Sequence, residues 1–116
     1  MQLSDGRSLA ATVVGRDRRS GVALLKIPAT GLTAAKPGDP RKLRLAERLF
    51  SMGRQVSGRS VAVTDGILSV LEVEEGDAAG YLQTTVTLYP QMGGGPLFNL
   101  AGELVGVNSM LYSRTS

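Results

Sequence analysis

The side chains that could do chemistry in this chain are few. Serines 20, 51, 57, 60 and 109 each offer a hydroxyl, but a serine becomes a nucleophile only when a neighbouring base takes its proton. The chain contains no histidine, which removes the commonest general base near neutral pH and the commonest zinc ligand. No lysine offers itself as an evident substitute base, so each hydroxyl reads as unactivated. Cysteine is absent too, excluding a disulfide framework or a thiolate metal site. Glu72, Glu74, Glu75 and Asp77 form an acidic cluster, but it lacks the ordered ligand spacing of an EF-hand loop and reads as a solvated loop. No cofactor or metal is expected. Gly93, Gly94 and Gly95 run into Pro96 with no Gly-Lys-Ser/Thr behind them, so they are not a phosphate loop. They pose a different question: why the most permissive residues stand directly before a strand, where glycine weakens pairing.

Composition frames the answer. With 116 residues, 42% of them hydrophobic and 20% charged, the chain is one globular domain or a piece of one. No apolar run approaches the roughly 20 residues that span a bilayer. The first residues, MQLSDGRSLAATVVGRDRR, lack the charged-then-apolar order of a signal peptide, so an export address would lie outside this chain. Charge is uneven: residues 1–60 carry 12 Lys/Arg against 4 Asp/Glu, and residues 61–116 carry 1 against 6. A basic half could meet nucleic acid or anionic lipid. Its only aromatic residue is Phe50, so base stacking has little to build on and no nucleic-acid partner is expected.

The elements that must position these residues read as short strands between turn signals. Ser8–Val14 is small and β-branched; Val22–Ile27 is a short apolar run stopped by Pro28, which suits a buried strand. GRDRRSG between them is a polar turn, and Ala29–Pro40, with two glycines and two prolines, is a loop. Lys42–Arg48 fits either a helical turn or an edge strand. Leu49–Gly53, Ser60–Val63, Gly66–Val73 and the alternating, Thr-rich Tyr81–Leu88 extend the series. Pro96–Asn99 and Glu103–Asn108, joined by LAG, form a hairpin with Gly102 at the turn. Strands at this spacing without a long helix predict an all-β barrel or sandwich.

Four segments, DGRSLAATVVGRDRRSGVALLKI, VAVTDGILS, YLQTT and GGGPLFNLAGELVGVN, resemble in order and separation the motifs of bacterial HtrA/DegP-type, trypsin-like serine proteases. The resemblance spans nearly the whole chain. It implies two β-barrels, with residues 1–40 a remnant of the first and residues 41–116 a nearly complete second. It also implies a family typical of the bacterial periplasm or cell envelope. In such proteins a serine attacks, a histidine takes its proton and an aspartate orients the histidine.

None of the three is found at its place. The family aspartate opens the strand that reads SGVALLKI here, and its position is Gly21; Asp17, four residues earlier, reads as a turn residue. The family serine falls on Gly93, and the segment bearing the histidine has no counterpart in the chain. The oxyanion hole would use the amides of Gln91 and Gly93, and a glutamine at the first of these puts the hole's geometry in question. The resemblance therefore implies an inactive homologue that retains, at most, peptide binding. Gly94, Gly95, Val105, Gly106, Val107, Asn108 and Ser109 would line the place where an extended peptide or an unfolded protein segment adds as a strand. The alternatives are a structural module assembling through open barrel edges, or a non-functional piece of a longer protease-like chain.

Overall fold

The computed structural model describes residues 1–54, 60–73 and 81–109, with backbone alone at residues 72 and 73. Within these residues the regular structure is seven strands and two single turns of 3-10 helix, so the chain is all-β as expected. The chain divides into two compact units, Met1–Ala34 and Ala35–Ser116.

The first unit is built on a hairpin of β1 (Thr12–Asp17) and β2 (Val22–Lys26). The strands run antiparallel from the pair Thr12–Lys26 to the pair Asp17–Val22, with an irregularity between Val13 and Gly15. The turn is made by side chains suited to it. The Asp17 carboxylate accepts from the Arg19 amide at 3.1 Å and from the Ser20 hydroxyl at 2.9 Å. The Gly21 amide closes the turn onto the Asp17 carbonyl at 2.9 Å, and Gly21 takes a left-handed φ of 73°. These contacts carry β1 further along the chain than Ser8–Val14; Ser8 instead makes a single bridge to Gln2. The expectation that Val22–Ile27 is buried is also corrected. Every residue of β2 is exposed and Ile27 is half-buried, because burying a strand on both faces needs a layer above and below, which a lone hairpin does not supply.

The second unit is an antiparallel sheet in the order β5-β4-β3-β6-β7. Its strands are β3 (Arg48–Arg54), β4 (Val61–Val73), β5 (Tyr81–Thr84), β6 (Pro96–Asn99) and β7 (Leu104–Val107). Lys42–Arg48 resolves into neither sequence alternative alone. A 3-10 turn, Pro40–Lys42, is capped by the Asp39 side chain; a turn follows, and β3 begins at Arg48.

The two strands read at Ser60–Val63 and Gly66–Val73 are one. The first half of β4 pairs with β3, from Arg54–Val61 to Arg48–Ile67, and its second half pairs with β5. Gly66 is the point of handover rather than a break. A Cβ there would lie 2.5 Å from the Val86 backbone nitrogen, so only glycine lets the following chain cross so closely. That crossing also ends β5 at Thr84 instead of Leu88. The Ile67 amide donates to Thr85 Oγ1 at 2.9 Å, and the Thr85 amide donates to the Ile67 carbonyl at 3.0 Å.

Alternation along the strands sorts the side chains. Leu49, Leu68 and Leu97, with Leu43, Val86 and Val105, form the core, against which Leu82 and Leu88 pack. Phe50 and Phe98 meet on the other face, ring centroids 5.3 Å apart.

Candidate functional site

The glycine-rich segment connects β5 to β6 and is shaped by a 3-10 turn, Pro90–Met92. Proline at the first position supplies the fixed φ that such a turn uses. The amides of residues 92 to 95 all find acceptors within the protein. Met92 donates to the Tyr89 carbonyl at 2.8 Å, Gly93 to Pro90 at 3.4 Å, Gly94 to Asn108 at 2.8 Å and Gly95 to Met92 at 3.0 Å. The Gly93 amide, half of the expected oxyanion hole, is thus turned back into the 3-10 turn. Gln91 is exposed beside it.

Two anchors hold the loop to the sheet. Met92 is fully buried and packs so closely over β3 that a Cβ on Gly53 would come within 2.6 Å of Met92 Cγ. The second anchor is polar. The Asn108 side-chain amide donates to Ser51 Oγ and, at 3.2 Å, to the Met92 carbonyl. Ser51, 0% exposed, passes the chain on by donating to the Pro96 carbonyl at 2.8 Å. The Asn108 backbone completes the clamp, its amide donating to Gly95 and its carbonyl accepting from Gly94, both at 2.8 Å. Buried polar groups are stable only when satisfied in this way.

Each glycine can now be placed. Gly94 takes φ +79° with nothing within 4 Å of its Cβ position, so backbone conformation rather than space calls for glycine. Gly95 is hemmed in, its Cβ position 3.0 Å from the Met52 and Met92 carbonyls. Gly93 is exposed and has φ −60°, ψ 134°, a conformation open to any residue. The backbone conformation at position 93 does not require a glycine.

The expected peptide-binding residues divide into two groups. Val105 and Asn108 are buried, in the core and the clamp respectively; Gly106 and Ser109 are half-buried and Val107 is exposed. Outside β6, the edge of β7 is partly covered. The Leu104 amide donates to the Lys36 carbonyl and its carbonyl accepts from Gly38, both at 2.8 Å. Among the described residues no further strand lies along this edge toward Val107.

The other candidates separate from this loop. Gly21 belongs to the hairpin turn of the first unit. Ser20 is engaged with Asp17, whose carboxyl is held below its usual range mainly by the Ser20 hydroxyl and also by the Arg19 amide. Ser60 is exposed, while Ser57 and most of the acidic cluster, Glu74, Glu75 and Asp77, lie outside the described residues. A cavity of about 270 Å³ is lined by Asp39, Lys42, Glu47, Asn99 and Glu103 among others, but its carboxylates are engaged. Asp39 holds Arg41 (3.1 Å), Glu47 accepts from the Arg44 amide (3.0 Å), and Glu103 accepts from Asn99 (3.0 Å). Sequence reading missed Ser51 and Met92 as determinants of the loop. No local signal marks them, since Ser51 lies 57 residues from its partner Asn108.

Comparison with known proteins agrees with the all-β fold. The trypsin-like peptidase domain family matches residues 1–107. A probable periplasmic serine endoprotease, DegP-like, of Marinomonas sp. (strain MWYL1) is 39% identical over 117 residues, covering 99% of this chain and 25% of the relative. The chain therefore spans about a quarter of the length of such relatives. Among solved structures, the HtrA-type protease AlgW with decapeptide superposes with a TM-score of 0.83 at 30% identity, over 97% of this chain and 35% of that one. Deg5 superposes with a TM-score of 0.79 at 28% identity, over 92% and 55%.

Proposed function

The chain belongs to the trypsin-like peptidase domain family, in its HtrA/DegP branch, and from that premise we propose that it binds extended peptide or protein segments without cleaving them. The observation that carries this reading is Gly93: a residue with no hydroxyl stands at the nucleophile's place, on a loop that two anchors hold in a fixed shape. Glycine stands at the aspartate's place as well, and the chain has no histidine. Loss of one triad member already costs several powers of ten in rate. Binding needs none of these side chains. An added strand is held by main-chain hydrogen bonds along an edge, and β7 offers one around Val107. That AlgW was solved with a decapeptide supports the same reading. The names of the relatives support the periplasm as compartment, and no helix among the described residues is long and apolar enough to cross a membrane.

The test has two arms. A fluorophosphonate probe should leave the protein unlabelled and casein should remain intact, for the parent and for Gly93→Ser, because a restored hydroxyl still has no base. A library of extended peptides should contain members that raise the melting temperature. Labelling or casein turnover by the parent would refute inactivity, and a flat response across the library would refute peptide binding. The second reading, an assembly module or a piece of a longer protease-like chain, draws support from the exposed hairpin of the first unit and from the quarter-length span.

A further inference from the structure

Glycine follows aspartate at two places in the chain, Asp5–Gly6 and Asp65–Gly66. We infer that the fold directs spontaneous isomerisation of aspartate to isoaspartate to the first of them, and that Arg7 sets its pace. The chemistry needs no reagent but water. The Gly6 amide nitrogen attacks Asp5 Cγ and forms a new N–C bond, while the carboxyl hydroxyl leaves with the amide proton as water. The product is a five-membered cyclic imide, which water reopens at either carbonyl. Opening at the Asp5 main-chain carbonyl leaves the chain running through Cβ and Cγ, one carbon longer than before. Glycine on the attacking side brings no side chain to obstruct the ring.

Both aspartates are exposed, so access to water does not separate the two sites; the backbone does. Ring closure requires the aspartate to rotate until the next nitrogen meets Cγ. Asp65 and Gly66 stand inside the β3–β4 ladder, opposite Phe50 and Leu49. Gly66 is also crossed by the following chain, its Cβ position 2.5 Å from the Val86 nitrogen. Rotation there would tear the ladder, and an added main-chain carbon would throw the rest of β4 out of register. Asp5 and Gly6 lie instead in an exposed turn. The Gly6 amide donates to the Leu3 carbonyl at 3.1 Å, and the Leu3 amide donates to the Arg7 carbonyl at 2.8 Å. Gly6 takes φ +95° with nothing within 4 Å of its Cβ position. Releasing one turn bond frees the nitrogen, and local openings of this kind lie at the low end of the free energies a fold must supply.

Arg7 works against the reaction. The Asp5 carboxylate accepts from the Arg7 amide at 3.0 Å through one oxygen and from Arg7 Nε at 2.7 Å through the other. Cγ cannot turn onto the Gly6 nitrogen until these contacts release. The same contacts, the Arg7 amide foremost, hold the carboxyl below its usual range, so less of it carries the proton with which the hydroxyl leaves. An exposed ion pair is a weak restraint, so it slows the conversion without preventing it. Once formed, the longer turn no longer matches the bonds that close the ribbon, including the bridge between Gln2 and Ser8.

The inference rests on no part of the peptide-binding reading, and a flat peptide titration leaves it standing. The test is ageing of the 116-residue chain at neutral pH and physiological temperature, with samples digested and read by mass spectrometry with electron-transfer fragmentation. Isoaspartate should accumulate at position 5 while position 65 stays aspartate. In concentrated urea the two sites should convert at similar rates, because only the fold distinguishes them. Arg7→Ala should speed conversion at position 5 about two- to fivefold, the range set by losing an exposed charged contact while the residue 7 amide remains. Asp5→Glu should abolish it, since the larger ring closes far more slowly. Absence of isoaspartate at position 5 in the folded chain would overturn the inference, as would equal conversion at position 65. An unchanged rate in Arg7→Ala would overturn the part assigned to Arg7.

Discussion

Removing the Asn108 amide should loosen the glycine-rich loop by a predictable amount. In Asn108→Ala two hydrogen bonds disappear, to Ser51 Oγ and to the Met92 carbonyl. Each is worth about 1 kcal/mol net, and the void left by a side chain only 8% exposed adds about 1 kcal/mol. No partner is stranded. The Met92 carbonyl keeps the Gly95 amide at 3.0 Å, and the Ser51 hydroxyl keeps the Pro96 carbonyl at 2.8 Å. The cost should therefore stop at about 2–3 kcal/mol, short of what an orphaned group would add. In a domain of this size that is a fall of roughly 10–20 °C in melting temperature. Ser51→Ala should cost about 2 kcal/mol, since it removes the same bond to Asn108 and the one to Pro96. Because the Asn108–Ser51 bond is counted in both single variants, the double variant should fall about 1 kcal/mol short of their sum. Urea unfolding followed by circular dichroism measures all three. A loss below about 0.5 kcal/mol for Asn108→Ala, or strict additivity, would show that the clamp does not hold the loop.

Other perturbations test other joints. Gly66→Ala drives a Cβ against backbone at Val86, which no rotamer change relieves. It should cost more than about 3 kcal/mol or abolish the cooperative transition, while Gly15→Ala, with nothing within 4 Å, stays within about 0.5 kcal/mol in the same melt. Gly53→Ala displaces the buried Met92 and should cost about 1–3 kcal/mol; in a Met92→Ala background most of that cost should vanish, as a double-mutant cycle would measure. The Asp5 carboxyl is held below its usual range chiefly by the Arg7 amide, Asp17 by the Ser20 hydroxyl, and Asp39 by the Arg41 side chain. Their stabilisation is present above the ordinary carboxylate pKa and is lost as pH falls through the lowered folded values. With no histidine, melting temperature should be flat from about pH 5 to pH 7 and decline below about pH 4. A step between those neutral limits would contradict the assignment.

Turn chemistry was legible because it is local. The LAG hairpin appears with Gly102 at φ +81° and its amide on the Asn99 carbonyl, and the polar GRDRRSG segment became the Asp17–Gly21 turn. In β3 the buried Leu49 and Ser51 alternate with less buried neighbours, and exposure alternates along β4 from Val61 to Leu68 before Ser69, Val70 and Leu71 are all exposed. Strand limits were less legible where another segment crosses. Gly66 resembles a break in the sequence, and only the passage of Thr85 and Val86 over it shows one continuous strand; the same passage ends β5 early. Burial of β2 was misread for a related reason, since an apolar run records what could cover a strand and not whether a cover is present.

The sequence by itself determined which side chains the described loops can offer to chemistry. That residues 21 and 93, where the family resemblance expects aspartate and serine, are glycines, and that these 116 residues include no histidine, are facts of composition and order. Tertiary structure alone decided how the glycine-rich loop is held. Met92 and Gly53 stand 39 positions apart and Ser51 and Asn108 stand 57 apart, yet together they fix the loop's backbone and direct the Gly93 amide inward. Contacts between residues so distant in the chain depend on strand register, and register is set by the whole sheet at once.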